Sequence, residues 1–266
     1  MDIQNLEEWT LFSDTDLDNS FMGKGKVFIV GAGPGPVDLL TLKAHKAISE
    51  AEVILYDALV SKEVRQIFPQ QAEHIFVGKR AGDGRDVRER QNSIHLKMLH
   101  FATKGKIVAR VKSGDPMIFS RGAEETSFLK KHDISFEVIP GISAFNAAAA
   151  EFGIALTDRR GSNSLHLLSG TDVTGKPVNA QHLIDILNKR GTAVIYMGTK
   201  VLEQISDALE PAHRETIAAA IVSRSGHANS EILEGSFNDV VRKHTESPLQ
   251  TPALIFLKKH SLPDPD

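Results

Sequence analysis

The sequence predicts an α/β fold built as two α/β domains with a cleft between them, and three observations carry that expectation. Short runs rich in Val, Ile, Phe and Tyr recur along the 266 residues and alternate with amphipathic segments, the pattern of strand–helix units around a mostly parallel sheet. The first run ends in Gly31-Ala32-Gly33-Pro34-Gly35, a turn whose glycines let backbone approach a ligand closely. The pattern then restarts after Pro140-Gly141 with an alanine-rich segment and a second set of strands. The expected domains are 24–139 and 140–260, behind an acidic, mobile extension at 1–23 that holds no Lys or Arg. A cleft between two such lobes is a common place for a small-molecule site.

Each element has a local reason. Strands are expected at 26–30, 53–56, 74–77, 107–111 and 136–139, where β-branched and aromatic residues cluster between turn residues. Helices are expected at 37–51, with Leu39, Leu40, Leu42, Ala47 and Ile48 on the apolar face, at 62–68, at 91–103 and from Arg121 onward. Residues 81–90 are polar and contain Gly, hence a loop. In the second half the expected strands are 165–169, 193–197, 217–222 and 253–257, with an edge strand at 231–233. Helices are expected at 144–152, 180–188 and 201–209.

Composition excludes several functions. A hydrophobic fraction of 41% with 24% charged residues is that of a soluble globular chain. The net charge of −3 lacks the basic footprint of a nucleic-acid binder. No apolar run approaches the ~20 residues of a membrane span, and the acidic N-terminus lacks the basic region of a secretory signal. Cysteine is absent, so disulfides and thiolate ligands are excluded and a cytoplasmic location is expected. The 11 histidines form no H-E-x-x-H or His-x-His pattern, so no bound metal is expected. No G-x-S-x-G elbow marks a hydrolase nucleophile.

The chemistry concentrates in KSGDPMIFSRGAEE, residues 112–125, which leaves a strand end and opens a helix. Such loops are where α/β proteins place ligands. Within it Ser113-Gly114-Asp115-Pro116 makes the turn, and Arg121 with Glu124 brings a charge pair to the helix start. The bland reading is a tight turn followed by a helix-capping charge pair. Asp57 closes the second strand and Lys79-Arg80 the third, so charged groups gather at one sheet edge and suit an anionic ligand. The alternative for Asp57 is a turn former or helix cap. The first glycine turn fits a dinucleotide fingerprint only in part, because Pro36 stands where its third Gly belongs. Gly170–Lys176 has phosphate-loop spacing, but Pro177 replaces the required Ser or Thr and rules it out. Met197, before Gly198, is by default a core side chain and alternatively lines a pocket.

Taken in order, KVFIVGAGPGPVDLLTLK at 26–43, Tyr56-Asp57 through Ser61, Val77-Gly78-Lys79-Arg80, the 112–125 stretch, Val138 through Ser143, Gly153 through Thr157 and Tyr196-Met197-Gly198 resemble the tetrapyrrole methyltransferase family. The resemblance runs from about Lys24 to Leu257. It implies S-adenosylmethionine as cofactor, with S-adenosylhomocysteine as product, bound between two α/β domains of a homodimer. Cofactor contacts would fall on Pro34, Ser113, Gly114, Asp115, Ile118, Ser143, Ala144 and Met197. The matching acid/base and substrate residues are Asp57, Lys79, Arg121, Glu124 and Arg159. The implied reaction is methylation of uroporphyrinogen III at C2 and C7 to precorrin-2, the precursor of sirohaem and cobalamin. The alternatives are a methyltransferase for a later precorrin and a non-catalytic tetrapyrrole-binding relative. The chain departs from the family at Ser113, usually Gly, at Pro36, often acidic, and at Asp158, usually His. It departs again at Arg224-Ser225-Gly226, usually Asn-Gly-Thr, and in a 79–91 loop about three residues longer than usual.

Overall fold

A computed structural model of the protein describes residues 25–79, 86–159, 161–172 and 174–260. The expected extension at 1–23 and the loop residues Arg80 to Arg85 lie outside these. The chain divides into two compact units, with the boundary between Ser143 and Ala144, beyond the Pro140 junction that the sequence suggests.

The first unit alternates strand and helix throughout: β1 (Lys26–Gly31), α1 (Leu42–Ser49), β2 (Val53–Tyr56), α2 (Lys62–Gln66), β3 (Glu73–Phe76), α3 (Val87–Thr103), β4 (Ile107–Lys112), α4 (Gly122–Lys131) and β5 (Ser135–Ile139). All four strand pairings are parallel, in the order β3-β2-β4-β1-β5. Alternation along the strands sends side chains to opposite faces. Val30, Ile54, Ala109, Val111 and Ile139 pack with α1 and α2 on one face. Val27, Ile29, Val53, Leu55 and Val108 pack with α3 and α4 on the other. From β1 the chain steps past β4 to β2 and then β3, whereas from β4 it steps past β1 to β5. The direction of winding therefore reverses at β1 and β4, and the carboxyl ends of those strands are where an open parallel sheet offers a binding crevice.

The second unit contains α5 (Ala144–Phe152), β6 (Ser164–Ser169), α6 (Ala180–Asn188), β7 (Gly191–Tyr196), α7 (Leu202–Ala208), α8 (Pro211–Arg214), β8 (Ile217–Ser223), β9 (Glu231–Ser236), α9 (Phe237–Glu246) and β10 (Ala253–Lys259). Its sheet runs β6-β7-β10-β8-β9. The β6–β7 pair is parallel, and the remaining three pairs are antiparallel. Leu183, Leu187, Ile205, Phe237 and Val240 of α6, α7 and α9 cover one face. The α5 helix covers the other through Ala148, with Phe145 and Phe152 beside it.

Several sequence expectations change. The helix expected over 37–51 breaks: a 3-10 turn spans Val37–Leu39, and α1 starts only where the Thr41 hydroxyl accepts a hydrogen bond from Ala44 N at 3.1 Å. Leu42, assigned to its apolar face, is 91% exposed, and Ala44 takes the buried place instead. The α3 helix starts four residues early because Asp86 caps it, its carboxylate accepting from Arg88 N at 2.7 Å. The helix expected over 201–209 begins as a 3-10 turn at Thr199–Val201. The sequence reading omitted α9, although Ser236 caps it and Phe237, Val240 and His244 recur at helical spacing. The mostly parallel sheet expected from the strand–helix units is that of the first unit, and the second sheet is mixed. Among the described residues, no helix is long and apolar enough to cross a membrane.

Candidate active site

In the first unit, the ends of three strands converge at the winding reversal. Gly33 and Gly114 pair as an isolated antiparallel bridge, with Gly114 N donating to Gly33 O at 2.7 Å and Gly33 N to Gly114 O at 3.2 Å. Both have φ near +70°, at 70° and 68°, which only glycine adopts without strain. A Cβ on Gly141 would lie 2.3 Å from Gly114 O, and one on Gly31 would lie 2.5 Å from Gly141 N. The glycines therefore let the β1, β4 and β5 ends close on one another. Asp115 ties two of these ends: one carboxylate oxygen accepts from Met117 N at 2.8 Å, the other from Gly141 N at 3.2 Å. Pro34 is buried in the loop after β1, and Ser113 and Ile118 are partly buried in the loop after β4. Ser113 is absent from the left-handed residues, so its place in the turn asks nothing that a serine resists.

Past this turn the backbone is strained. Phe119 and Arg121 have φ of 47° and 62°, unusual for residues with side chains. Arg121 then forms a two-pronged pair with Glu124, Nε to Oε1 at 2.8 Å and Nη2 to Oε2 at 2.6 Å, and its Nη1 donates to Val87 O at 3.3 Å. The hydrogen bond from Arg121 lowers the Glu124 pKa, and the same bond raises that of Arg121.

A second cluster lies on the α3/α4 face at the ends of β2 and β4. Arg110 Nη2 donates to both oxygens of Asp57, at 2.7 and 2.9 Å. Its Nε donates to Glu125 Oε1 at 3.0 Å, and Lys112 Nζ reaches the same oxygen at 3.0 Å. Arg110 and Lys112 are each 2% exposed and Glu125 is 0% exposed, whereas the Asp57 side chain keeps 28% of its surface open. Burial raises the Glu125 pKa, but Arg110 and Lys112 outweigh it and hold the carboxyl below its usual value. Burial, with Arg110 beside it, lowers the pKa of Lys112 despite Glu125 and Asp57. Burial likewise opposes the Arg110 charge, yet Glu125 and Asp57 raise its pKa overall. Two cations thus face two carboxylates in a largely dry site, and each charge depends on the others.

The remaining candidates stand separately. Lys79 is exposed beyond β3, and Ser143 is buried at the end of the first unit. In the second unit, Arg159 is exposed in a turn closed by Asp158 N to Ser162 O at 2.7 Å. Ala144 opens α5. Met197 is no core residue: it is 60% exposed, with φ of 56°. Gly198, which follows at an ordinary φ of −94°, supplies space rather than the turn: a Cβ on it would lie 2.7 Å from Ile195 Cγ2, and one on Gly170 would lie 2.3 Å from the Gly198 Cα. The turn at Met197 itself throws its side chain outward.

The family model for tetrapyrrole (corrin/porphyrin) methylases matches residues 26–241, most of the chain. The chain belongs to this family. A uroporphyrinogen-III C-methyltransferase of Methanocaldococcus jannaschii is 37% identical over 233 residues, covering 87% of this chain and 94% of that protein. A siroheme synthase of a Psychrobacter species is 37% identical over 234 residues, 88% of this chain but 47% of the synthase, so the chain spans about half the length of that relative. The crystal structure of uroporphyrin-III C-methyl transferase from Thermus thermophilus, complexed with S-adenyl homocysteine, superposes with a TM-score of 0.71 at 30% identity, covering 88% of this chain and 97% of that one.

Within this methylase fold, the sequence reading singled out Asp57 but missed its partners Arg110, Lys112 and Glu125. A signal existed. Arg110 and Lys112 alternate with apolar residues in a central strand, where a charge can only be buried and therefore needs a partner.

Proposed function

We propose that this chain is an S-adenosylmethionine-dependent C-methyltransferase that methylates uroporphyrinogen III at C2 and C7, giving precorrin-2 for sirohaem or cobalamin synthesis. The observation that carries the reading is 37% identity across 94% of a uroporphyrinogen-III C-methyltransferase. A half-open Asp57 held on a buried charge cluster supports it from the chain's own geometry. The glycine-lined convergence of strand ends fits the cofactor, because added side chains would close it. Pro34, Ser113, Gly114, Asp115, Ile118 and Ser143 would hold it; Ala144 and Met197 are contacts that the family resemblance implies. When bound, it supplies a sulfonium methyl group, which an electron-rich pyrrole carbon can accept without a metal.

The protein's task is then positioning and proton handling. Methyl transfer needs the pyrrole carbon in line with the donor at near-attack distance. Arg121, Arg159 and Lys79 offer cations to the carboxylates of the substrate, Arg121 through the N–H groups that Glu124 and Val87 leave over. Asp57 takes the proton that leaves as the pyrrole is alkylated. Glu124 serves less well as a base, because Arg121 occupies both its oxygens and lowers its pKa; its part is to aim Arg121. The protein acts in the cytoplasm as a homodimer, without nucleic acid.

Anaerobic incubation with methyl-labelled S-adenosylmethionine and a panel of uroporphyrinogen III, precorrin-2 and later precorrins tests this. Label appearing on uroporphyrinogen III supports the reading. Label only on a later precorrin would move the substrate, and label on none, with the cofactor still bound, would leave a binding role.

A further inference from the structure

Asp57 is the only member of the buried charge cluster with an appreciably open side chain, and it rests on Arg110. Its backbone is already fixed, since Asp57 N donates to Val111 O at 3.3 Å and Val60 N donates to Asp57 O at 3.2 Å. Those bonds leave the carboxylate free to rotate about its last torsion. Arg110 Nη2, set between both oxygens, removes that freedom. The guanidinium is itself immobilised: Nε is held by Glu125, while Nη1 donates to Leu55 O at 3.4 Å and Val111 O at 3.3 Å. Glu125 in turn is pinned by Lys112 at 3.0 Å and by Gln91 at 3.4 Å. The order of restraint thus runs from α3 and α4 through the central strand to one partly open carboxylate.

We propose that Arg110 is a positioning residue for Asp57, with Glu125 and Lys112 holding Arg110 in place, so that a fixed face of the Asp57 carboxylate meets the substrate. The inference rests on the methyltransferase reading above and adds to it residues that never touch substrate. It also reverses the bland view of the cluster, in which Asp57 is there merely to neutralise a buried arginine. Glu125 is shared between Arg110 and Lys112, so charge balance calls for a second carboxylate, but balance alone does not require one bridged symmetrically at its inner side. The second carboxylate adds to the buried cations' compensation, but it is placed where its far side stays open.

The test is a double-mutant cycle on the full chain: wild type, Arg110→Lys, Asp57→Asn and the pair together. The readouts are kcat and KM for anaerobic methylation of uroporphyrinogen III, with the Kd for S-adenosylhomocysteine as a measure of intact fold. A lysine keeps the charge but cannot bridge both Asp57 oxygens while holding Glu125. Arg110→Lys is expected to lower kcat by roughly 10- to 100-fold, with KM and Kd within about twofold of wild type. In the Asp57→Asn background the same change should cost nothing further. Independent, multiplying losses overturn the proposal, as does an unchanged kcat or a parallel loss of kcat and cofactor affinity. Should Arg110→Lys not fold, Glu125→Gln loosens the far end of the guanidinium and takes its place in the cycle. A smaller fall in kcat that vanishes without Asp57 sustains the proposal; no fall, or one that persists, overturns it. A wild-type chain that methylates no tetrapyrrole overturns the underlying reading and the inference together, whereas turnover that survives Arg110→Lys overturns the inference alone.

Discussion

A methionine with its backbone in the left-handed region and its side chain in the open is an expensive arrangement to keep. Residues with side chains held there cost on the order of 1–3 kcal/mol, and Met197 has no burial to offset it. Met197→Val should therefore lower stability by roughly 1–3 kcal/mol, because a β-branched residue tolerates positive φ worst. Met197→Gly should stay within about 1 kcal/mol of wild type, although both lose the proposed cofactor contact. Thermal denaturation of the two variants checks the order; a Val variant as stable as the Gly variant contradicts it. At the same scale, Glu125 links stability to acid. Its folded pKa lies below the ordinary 4.5, so the unfolded chain takes up the proton first as pH falls. Its contribution is complete above that value and is lost as pH drops through the lower, folded one. Glu125→Gln should lose about 3 kcal/mol at neutral pH, since two buried cations then share too little negative charge. It should also show a flatter decline than wild type as the pH falls below the ordinary carboxyl value of 4.5, measured by urea denaturation. Neither residue was legible in this role from sequence. Met197 continues an apolar run that reads as strand interior, and Glu125 meets Arg110 only through the packing of α4 on the sheet.

Among elements, what matters for the site is how closely strand ends approach. The β1, β4 and β5 ends meet through glycines whose missing side chains leave room for a neighbouring carbonyl or amide. Gly141→Ala places a methyl group 2.3 Å from the Gly114 carbonyl oxygen, so one loop must move. The expected result is weaker cofactor binding, by at least about tenfold, with the far-ultraviolet circular dichroism of the folded chain retained. Unchanged affinity, measured by calorimetry with S-adenosylhomocysteine, would show that the convergence does not shape the site. The strands of this region were legible because each is a short β-branched run bounded by turn residues, and α5 and α6 were read at their observed limits. Helix starts were less so. Those of α1 and α3 depend on capping by Thr41 and Asp86, which compete with apolar residues on either side for the first turn.

For the whole molecule, local patterns carried the parallel unit further than the mixed one. Each of β1 to β4 is followed by a helix that returns the chain to a parallel strand, and that rhythm is visible in the residues themselves. In the second unit β10 inserts between β7 and β8, antiparallel to both, at the end of the chain. That pairing is set by long-range burial of Leu254, Ile255 and Phe256 rather than by anything near them in sequence. The two units together span nearly the full length of the Methanocaldococcus jannaschii methyltransferase and about half of the Psychrobacter siroheme synthase.

The most direct test of that activity is carbon-13 NMR of the tetrapyrrole formed anaerobically from uroporphyrinogen III and S-adenosylmethionine labelled at its methyl carbon. Two labelled methyl signals, on the carbons at C2 and C7, are the result expected. Label at other ring carbons, or a tetrapyrrole recovered without label from a chain that binds the cofactor, would contradict the account.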